Sequence, residues 1–380
     1  MKKEIDCSSI AAAAQSGNLF TIRPNKGGDP ELFLRKAGIL VPACDAYGTS
    51  AKGLYASVDS GGDEYPNDSA TVNDDGYQAE LRYSPHPCRE IIIMRIRSAL
   101  NRIRRDGYEA VIEPVVRLPD GYLEKAPQRV TESGCNPDYC AYRDGEPNEP
   151  VQGFDKLPMR FAGGHIMVSV ETGAMYSKVV HQHDVIRLVK LMDRIVGIPS
   201  VIMAHDDGER FRRRYYGRPG CYRWSRNRYV EYRSLSNFWL RSPTYTWVVY
   251  GLAEMAATAF VNGWDSLYDI SDADVHDIML NCDVERAKYE LARMVRSFSL
   301  MSTAWNSCFS TLPSISRRAG NSYANTMYTI LGHRPMASLW DEWHMDSSEN
   351  VTGVHGYRLA SKEFAAGVRA NRARYMKMLG

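Results

Sequence analysis

GGDPELFL, residues 27–34, sets two carboxylates, Asp29 and Glu31, at the head of an apolar run. Residues i and i+2 of a strand point to the same face, so a strand here would project both acids together. Three further segments repeat the pattern. They are YQAELRYSP (77–85) with Glu80 and Arg82, FAGGHIMVSV (161–170) with His165, and RYVEYRSLSNFWL (228–240) with Glu231 and Arg233. A sheet face with several carboxylates, an imidazole and arginines is no ordinary core face, because unpaired buried charge is costly. Such a face suits divalent cations and a nucleotide phosphate.

The rest of the chain is globular in composition. Its 380 residues are 44% hydrophobic and 24% charged, enough for one large domain or two. The net charge of +2 gives no global pull toward nucleic acid or membrane. Eight cysteines are scattered without a CxxC, Cys135 and Cys140 being the closest pair. That is neither a disulfide framework nor a zinc signature, and it fits reduced thiols in the cytoplasm. The start, MKKEIDCSSIAAAAQSG, has no apolar stretch adequate for a signal peptide, and no run is long enough to span a membrane.

Residues 18–43 read as two strands, NLFTIRP and ELFLRKAGILVPA, around a Gly27-Gly28 turn. Residues 44–76 read as a long loop, YQAELRYSP as a strand ended by Pro85 and Pro87, and 88–105 as an amphipathic helix. Arg95 interrupts the apolar stripe of that helix. A strand YEAVIEPVVRL, a loop over 118–158 and a strand over 159–172 follow. His181–Val196 reads as a helix, Ile198–Ala204 as a strand and 210–228 as an Arg-rich loop. From 244 onward TYTWVVYGLAEMAATAFVNG, DADVHDIMLNC and DVERAKYELARMVRSFSLMSTAW have helical periodicity with acidic first turns in the last two. The expectation is an α+β body over 18–243 with a helical region over 244–380 packed on it.

Five segments in order, GGDPELFLR, DDGYQAELRYSP, GCNPDYCAY, FAGGHI and YYGRPGCYR…VEYRSLSNFWL, resemble the phage-type carboxylate–amine ligases (amidoligases). Those belong to the glutamine synthetase / glutamate–cysteine ligase superfamily, and the resemblance spans about residues 20–240. It implies a curved, mostly antiparallel sheet, a half-barrel, with helices on its outer face. It also implies ATP and two or three Mg2+ ions. A carboxylate would take the γ-phosphate to form an acyl phosphate, and an amine would displace phosphate to make an amide. By this resemblance Asp29, Glu31, Glu80, His165 and Glu231 hold metal, with Glu80 sharing one ion with Glu31 and Glu231 completing a second site with Asp29 and His165. Arg233 holds the γ-phosphate. Arg218 and Arg223 contact substrate carboxylate or nucleotide phosphates, and Arg82 contacts substrate or pairs with Glu80. Two positions depart from the pattern. Met167 stands where many relatives have a second histidine, and Cys88 where glutamine synthetases have a further acid. Asp138 could supply a missing carboxylate or cap a turn. The substrates implied are amino-acid-like or peptide-like carboxylates and amines. ATP-grasp or amidotransferase enzymes are implied as pathway partners by analogy.

Each residue has a plainer reading on its own. Asp29 before Pro30 is a good turn residue, Glu80–Arg82 and Glu231–Arg233 could be surface ion pairs, and His165 could be a core histidine. Gly163-Gly164 points to close approach by another group, such as a nucleotide. Together, in this order, the residues favour the ligase. The runner-up is a nucleic-acid-binding protein that uses the Arg/aromatic segment 210–228. A degenerate ligase relative without activity is the third reading, kept open by Met167.

Overall fold

The computed structural model describes residues 24–47, 56–57, 70–126, 130, 138–149, 151, 157–170, 173–176, 178–179, 181–204, 206–225, 228–263, 265, 268–294, 297, 330, 335 and 338–343. The N-terminal 23 residues, Cys135 and most of the region beyond 294 lie outside them, and with these the strand expected over 18–23.

The strands are β1 (Lys26–Gly28), β2 (Glu31–Lys36), β3 (Ile39–Val41), β4 (Ala56–Ser57), β5 (Ala70–Asp75), β6 (Gln78–His86), β7 (Glu109–Val111), β8 (Val115–Arg117), β9 (Tyr139–Cys140), β10 (Glu146–Pro147), β11 (Met159–Phe161), β12 (Ile166–Ser169), β13 (Cys221–Ser225) and β14 (Tyr229–Tyr232). Twelve of them form one sheet along the path β10-β9-β13-β14-β12-β1-β6-β2-β3, with β5 on β6, β4 on β5 and β7 on β2. β8 and β11 make a separate pair. Every described pairing is antiparallel, and the path is open at β10 and β3. The protein is α+β, as expected.

Among the described residues α1 (Arg89–Arg105), α2 (Gln182–Met192) and α4 (Pro243–Asn262) pack on this sheet, while α3 (Asp207–Tyr215) packs on β8 and α5 (Asp272–Asn281) on α3. Along α1, Ile92, Ile93, Ile96, Ala99, Leu100 and Ile103 are fully buried, the stripe that the 3.6-residue period demands. Arg95 sits within the stripe because its guanidinium donates to the Ser84 carbonyl at 2.5 Å. α4 is buried almost all round, starts on a Ser242 cap with Pro243 in its first turn, and stops at Gly263 with φ 70°. Its Glu254 pairs with the fully buried Lys26 of β1 at 2.6 Å, tying helix to sheet.

Strand alternation then divides the sheet. Leu32, Leu34, Ala79, Leu81, Tyr83, Ile166, Val168, Val230 and Tyr232 join the main core with the helices. Glu31, Glu80, Arg82, Met167, Glu231 and Arg233 alternate with them and take the other face.

Several sequence expectations are corrected. Gly27-Gly28 is strand, not turn. A Cβ on Gly28 would meet the His165 carbonyl at 2.6 Å and the Tyr83 hydroxyl at 2.7 Å, so the glycine serves close strand packing. Within 44–76, a short helix (Ala43–Tyr47) and strand β5 replace continuous loop, and Asp75-Gly76 opens a two-residue hairpin into β6. Pro85 lies inside β6, which runs to His86. YEAVIEPVVRL breaks at Pro114 into β7 and β8, which join different sheets. The expected loop 118–158 contains β9 and β10, and the expected strand over 159–172 divides into β11 and β12. Ile198–Ala204 is a fully buried helix, because an apolar run this short does not separate strand from buried helix by periodicity. It continues α2 through a π-helical turn at Asp193–Gly197. The Arg-rich segment is α3 plus β13, not loop.

Gly164→Ala should lower stability, since its Cβ would sit 2.0 Å from the Ser236 carbonyl oxygen. Urea unfolding should register a loss of about 1–3 kcal/mol, the usual cost of overpacking a tight site.

Candidate active site

The register of the sheet gathers the charged residues. β2 and β6 set Glu31 opposite Glu80, and β5 continues the row with Asn73 opposite Glu80. β14 sets Glu231 between Arg223 of β13 and Met167 of β12. Asp29 and His165 lie just outside β1 and β12, one position beyond the Gly28–Ile166 pair. Their side chains converge. His165 Nδ1 lies 3.4 Å from Asp29 Oδ1 and 3.7 Å from Glu231 Oε1. Arg233 Nη1 donates to Glu231 Oε1 and approaches His165 Nδ1 at 3.3 Å.

The backbone around these groups is held tightly. Glu31 N donates to the Gly163 carbonyl at 2.8 Å, and Gly163 N donates to Glu31 Oε2 at 2.7 Å. Asn237 Nδ2 donates to the Glu31 carbonyl at 2.9 Å, and Trp239 Nε1 to the Gly164 carbonyl at 3.1 Å. A Cβ on Gly163 would sit 2.3 Å from His165 Nε2. The close approach expected at Gly163-Gly164 is therefore made by the His165 ring and the Ser236 backbone.

Crowding sets the electrostatics. Burial, aggravated by Asp75, pushes the Glu31 carboxyl up to about 7. Burial and the neighbouring Asp29 push Glu80 up to about 9, although Arg82 Nε lies 2.5 Å away. Arg82 is half exposed, so water weakens its hold. Asp29 is raised by burial against the pull of Arg233, Arg82 and Arg223. Burial and then Arg233 drive His165 well below the usual imidazole range, so the ring is neutral.

Asp29, His165 and Glu231 each present a ligand atom, all within 4.8 Å of one another, as a metal site requires. Asp29 Oδ1 is buried and accepts no hydrogen bond among the described residues. Two carboxylates and a neutral imidazole with such an orphaned oxygen fit a divalent cation. Glu31 and Glu80 stand beside this trio as a cross-strand pair.

Other expected residues fall differently. Arg223 Nη1 is 3.9 Å from Glu231, at the rim. Arg218 turns away, its guanidinium donating to the Arg214 carbonyl at 3.0 Å. Asp138 reaches Arg233 Nε at 3.5 Å and accepts from Asn148 at 2.8 Å. Cys88 sits at the start of α1, where its N–H donates to His86 Nδ1. Two residues were missed. Asp75, at the hairpin tip, is raised by burial and belongs to the same carboxylate group; the Asp-Gly turn could have revealed it. Tyr216 puts its hydroxyl among Glu31, His165 and Arg233.

Residues 152–295 match the family model of phage phiEco32-like COOH–NH2 ligases, type 2. Over these residues the chain is similar to the phage-type carboxylate–amine ligases. The matched ligase segment holds His165, Tyr216, Arg218, Arg223, Glu231 and Arg233, while Asp29, Glu31, Asp75, Glu80 and Arg82 precede it. It also runs through α4 and α5, so the helical region takes part in the family likeness, beyond the expected limit near 240. A comparison with curated proteins gives no match. Among the described residues no helix is long and apolar enough to cross a membrane.

A raised carboxyl pKa means the folded chain holds its proton more tightly than the unfolded chain. That stability is full below the unfolded value and is lost as pH rises through the folded one. In chelator, the thermal midpoint should therefore fall from about pH 5 through 7 to 9, the values reached by Glu31 and Glu80. Glu80→Gln should match wild type at pH 5 and exceed it at pH 9. An equal fall in both proteins would remove Glu80 as a source of the strain.

Proposed function

We propose that the protein is an ATP- and Mg2+-dependent ligase that joins a carboxylate to an amine through an acyl phosphate. The observation that carries this is the Asp29–His165–Glu231 cluster with Arg233 against it, in a chain with a COOH–NH2 ligase segment. A glutamine synthetase-like half-barrel is the natural frame for the open antiparallel sheet. In this reaction the acid's oxygen attacks the γ-phosphorus of ATP, releasing ADP, and the amine then attacks the acyl carbon, releasing phosphate.

Asp29, His165 and Glu231 would hold one Mg2+, and Glu31 with Glu80 would hold another, Asp75 standing near. The ions would supply positive charge to the phosphate oxygens. Arg233 is buried and donates toward the cluster, so it is placed to steady charge on the transferring phosphoryl group. Arg223 and Arg82, at the more exposed rim, suit an incoming substrate carboxylate. The apolar helix layer behind the sheet keeps water from the rear of the site.

The nucleic-acid reading is less favoured, because Arg212 and Arg213, at the centre of the Arg/aromatic segment, are fully buried. Arg212 donates to the carbonyls of Ala162 and Leu235, and Arg213 to Glu209, Ser200 and Met279. These two hold the fold, while Arg210, Arg214 and Arg228 of the same segment are exposed.

Calorimetric titration with a non-hydrolysable ATP analogue tests the proposal. Binding should require Mg2+ and be lost in Glu31→Ala and Glu231→Ala. Arg233→Ala should still bind nucleotide, yet phosphate release with a productive acid and amine should drop about a hundred- to thousandfold. Mg2+-independent binding, or none in wild type, would sink it.

A further inference from the structure

Tyr216 follows the last turn of α3 in extended backbone, with φ −144° and ψ 136°. Its hydroxyl donates to Glu31 Oε1 at 3.1 Å, lies 3.1 Å from His165 Nε2 and accepts from Arg233 Nη2 at 3.0 Å. The ring is fixed from below. The buried Arg212 guanidinium sits 5.1 Å from its centroid, and Tyr216 N donates to the Arg212 carbonyl at 2.7 Å. Arg212 is itself anchored on the Ala162 and Leu235 carbonyls. The phenol is thus a rigid point shared by the Glu31 side and the His165 side of the cluster.

Hydrogen-bond inventory then determines the His165 tautomer. A phenol has one O–H and two lone pairs, and a guanidinium only donates. Arg233 takes one lone pair, and Glu31 Oε1 takes the O–H. Only a lone pair remains for His165, so Nε2 must carry the proton and donate it. Nδ1 is then the bare nitrogen, and it is the one that faces Asp29 Oδ1 and Glu231 Oε1. The Arg233 N–H directed at Nδ1 agrees, since it too needs a lone pair there.

We infer that Tyr216 is a positioning residue that locks His165 in the Nε2–H tautomer, leaving Nδ1 to a divalent cation shared with Asp29 and Glu231. The inference rests on the proposed cation-binding role of these three residues. A partner on the second ring nitrogen orients a metal-bound histidine, and losing such a partner weakens metal affinity by about 10- to 100-fold.

Manganese titration followed by electron paramagnetic resonance, on wild type, Glu231→Gln and Tyr216→Phe, separates this inference from the reading beneath it. In parallel, 15N-histidine spectra of the metal-free proteins, assigned with His165→Gln, report the tautomer directly. The expected result has three parts. Wild type binds Mn2+ at the His165 site, Glu231→Gln loses the ion at that site, and Tyr216→Phe binds it there about 10- to 100-fold more weakly with Nε2–H no longer dominant. If Glu231→Gln loses Mn2+ but Tyr216→Phe keeps wild-type affinity and tautomer, the inference falls and the cation site stands. If Glu231→Gln binds like wild type, or wild type binds no Mn2+, both fall. Should Tyr216→Phe fail to fold, the wild-type spectrum decides. A bare Nδ1 that shifts on adding Mg2+ supports the lock, and a protonated Nδ1 overturns it.

Discussion

Like charges forced together out of water are the constraint around which this protein is built. Asp29, Glu31, Asp75 and Glu80 repel one another on one sheet face, and burial removes the solvent that would screen them. Arg82, Arg223 and Arg233 offset only part of that repulsion, so the surrounding structure must enforce the arrangement. The enforcement comes from the opposite face, where the same strands bury leucine, isoleucine, valine and tyrosine against α1, α2 and α4. Because strand side chains alternate strictly, burying one set fixes the position of the other. Gly28, Gly163 and Gly164 let the strands and the His165 ring approach closely enough for the acids to meet. A divalent cation would relieve a face strained in this way by supplying the opposite charge.

Much of this was legible in the residues. The i, i+2 pairs named the acidic face, and antiparallel register then brought Asp29, His165 and Glu231 together. What could not be read was whatever depends on the third dimension. Gly27-Gly28 carries the composition of a turn, and only the neighbours that crowd Gly28 make it strand. Ile198–Ala204 is apolar on every side, which a central strand and a buried helix share. Arg212 and Arg213 look like a solvated basic run until their carbonyl partners are known. Tyr215 and Tyr216 are chemically alike in the sequence. One stacks on Phe161 and the other enters the site, and the end of α3 makes the difference.

The π-helical turn at Asp193–Gly197 has a consequence of its own. At its start Asp193 accepts from Tyr232 Oη at 2.5 Å and Ser234 Oγ at 3.3 Å, the residues that alternate with Arg233 along the chain. At its end Gly197 admits Met279 and the Tyr232 hydroxyl, which a Cβ would meet at 2.5 and 2.8 Å. Each α-helical residue advances about 100° around the axis, and the wide turn holds one residue more than an ordinary one. The spare residue is taken up in the width of the turn, between α2 and the helix that continues it. An ordinary turn one residue shorter would pass through nearly the same angle, so the helix that follows keeps the phase of α2. Both ends of the wide turn therefore close on the Tyr232 hydroxyl, and a side chain at Gly197 or a lost carboxylate at Asp193 would prise the helix from the strand beneath.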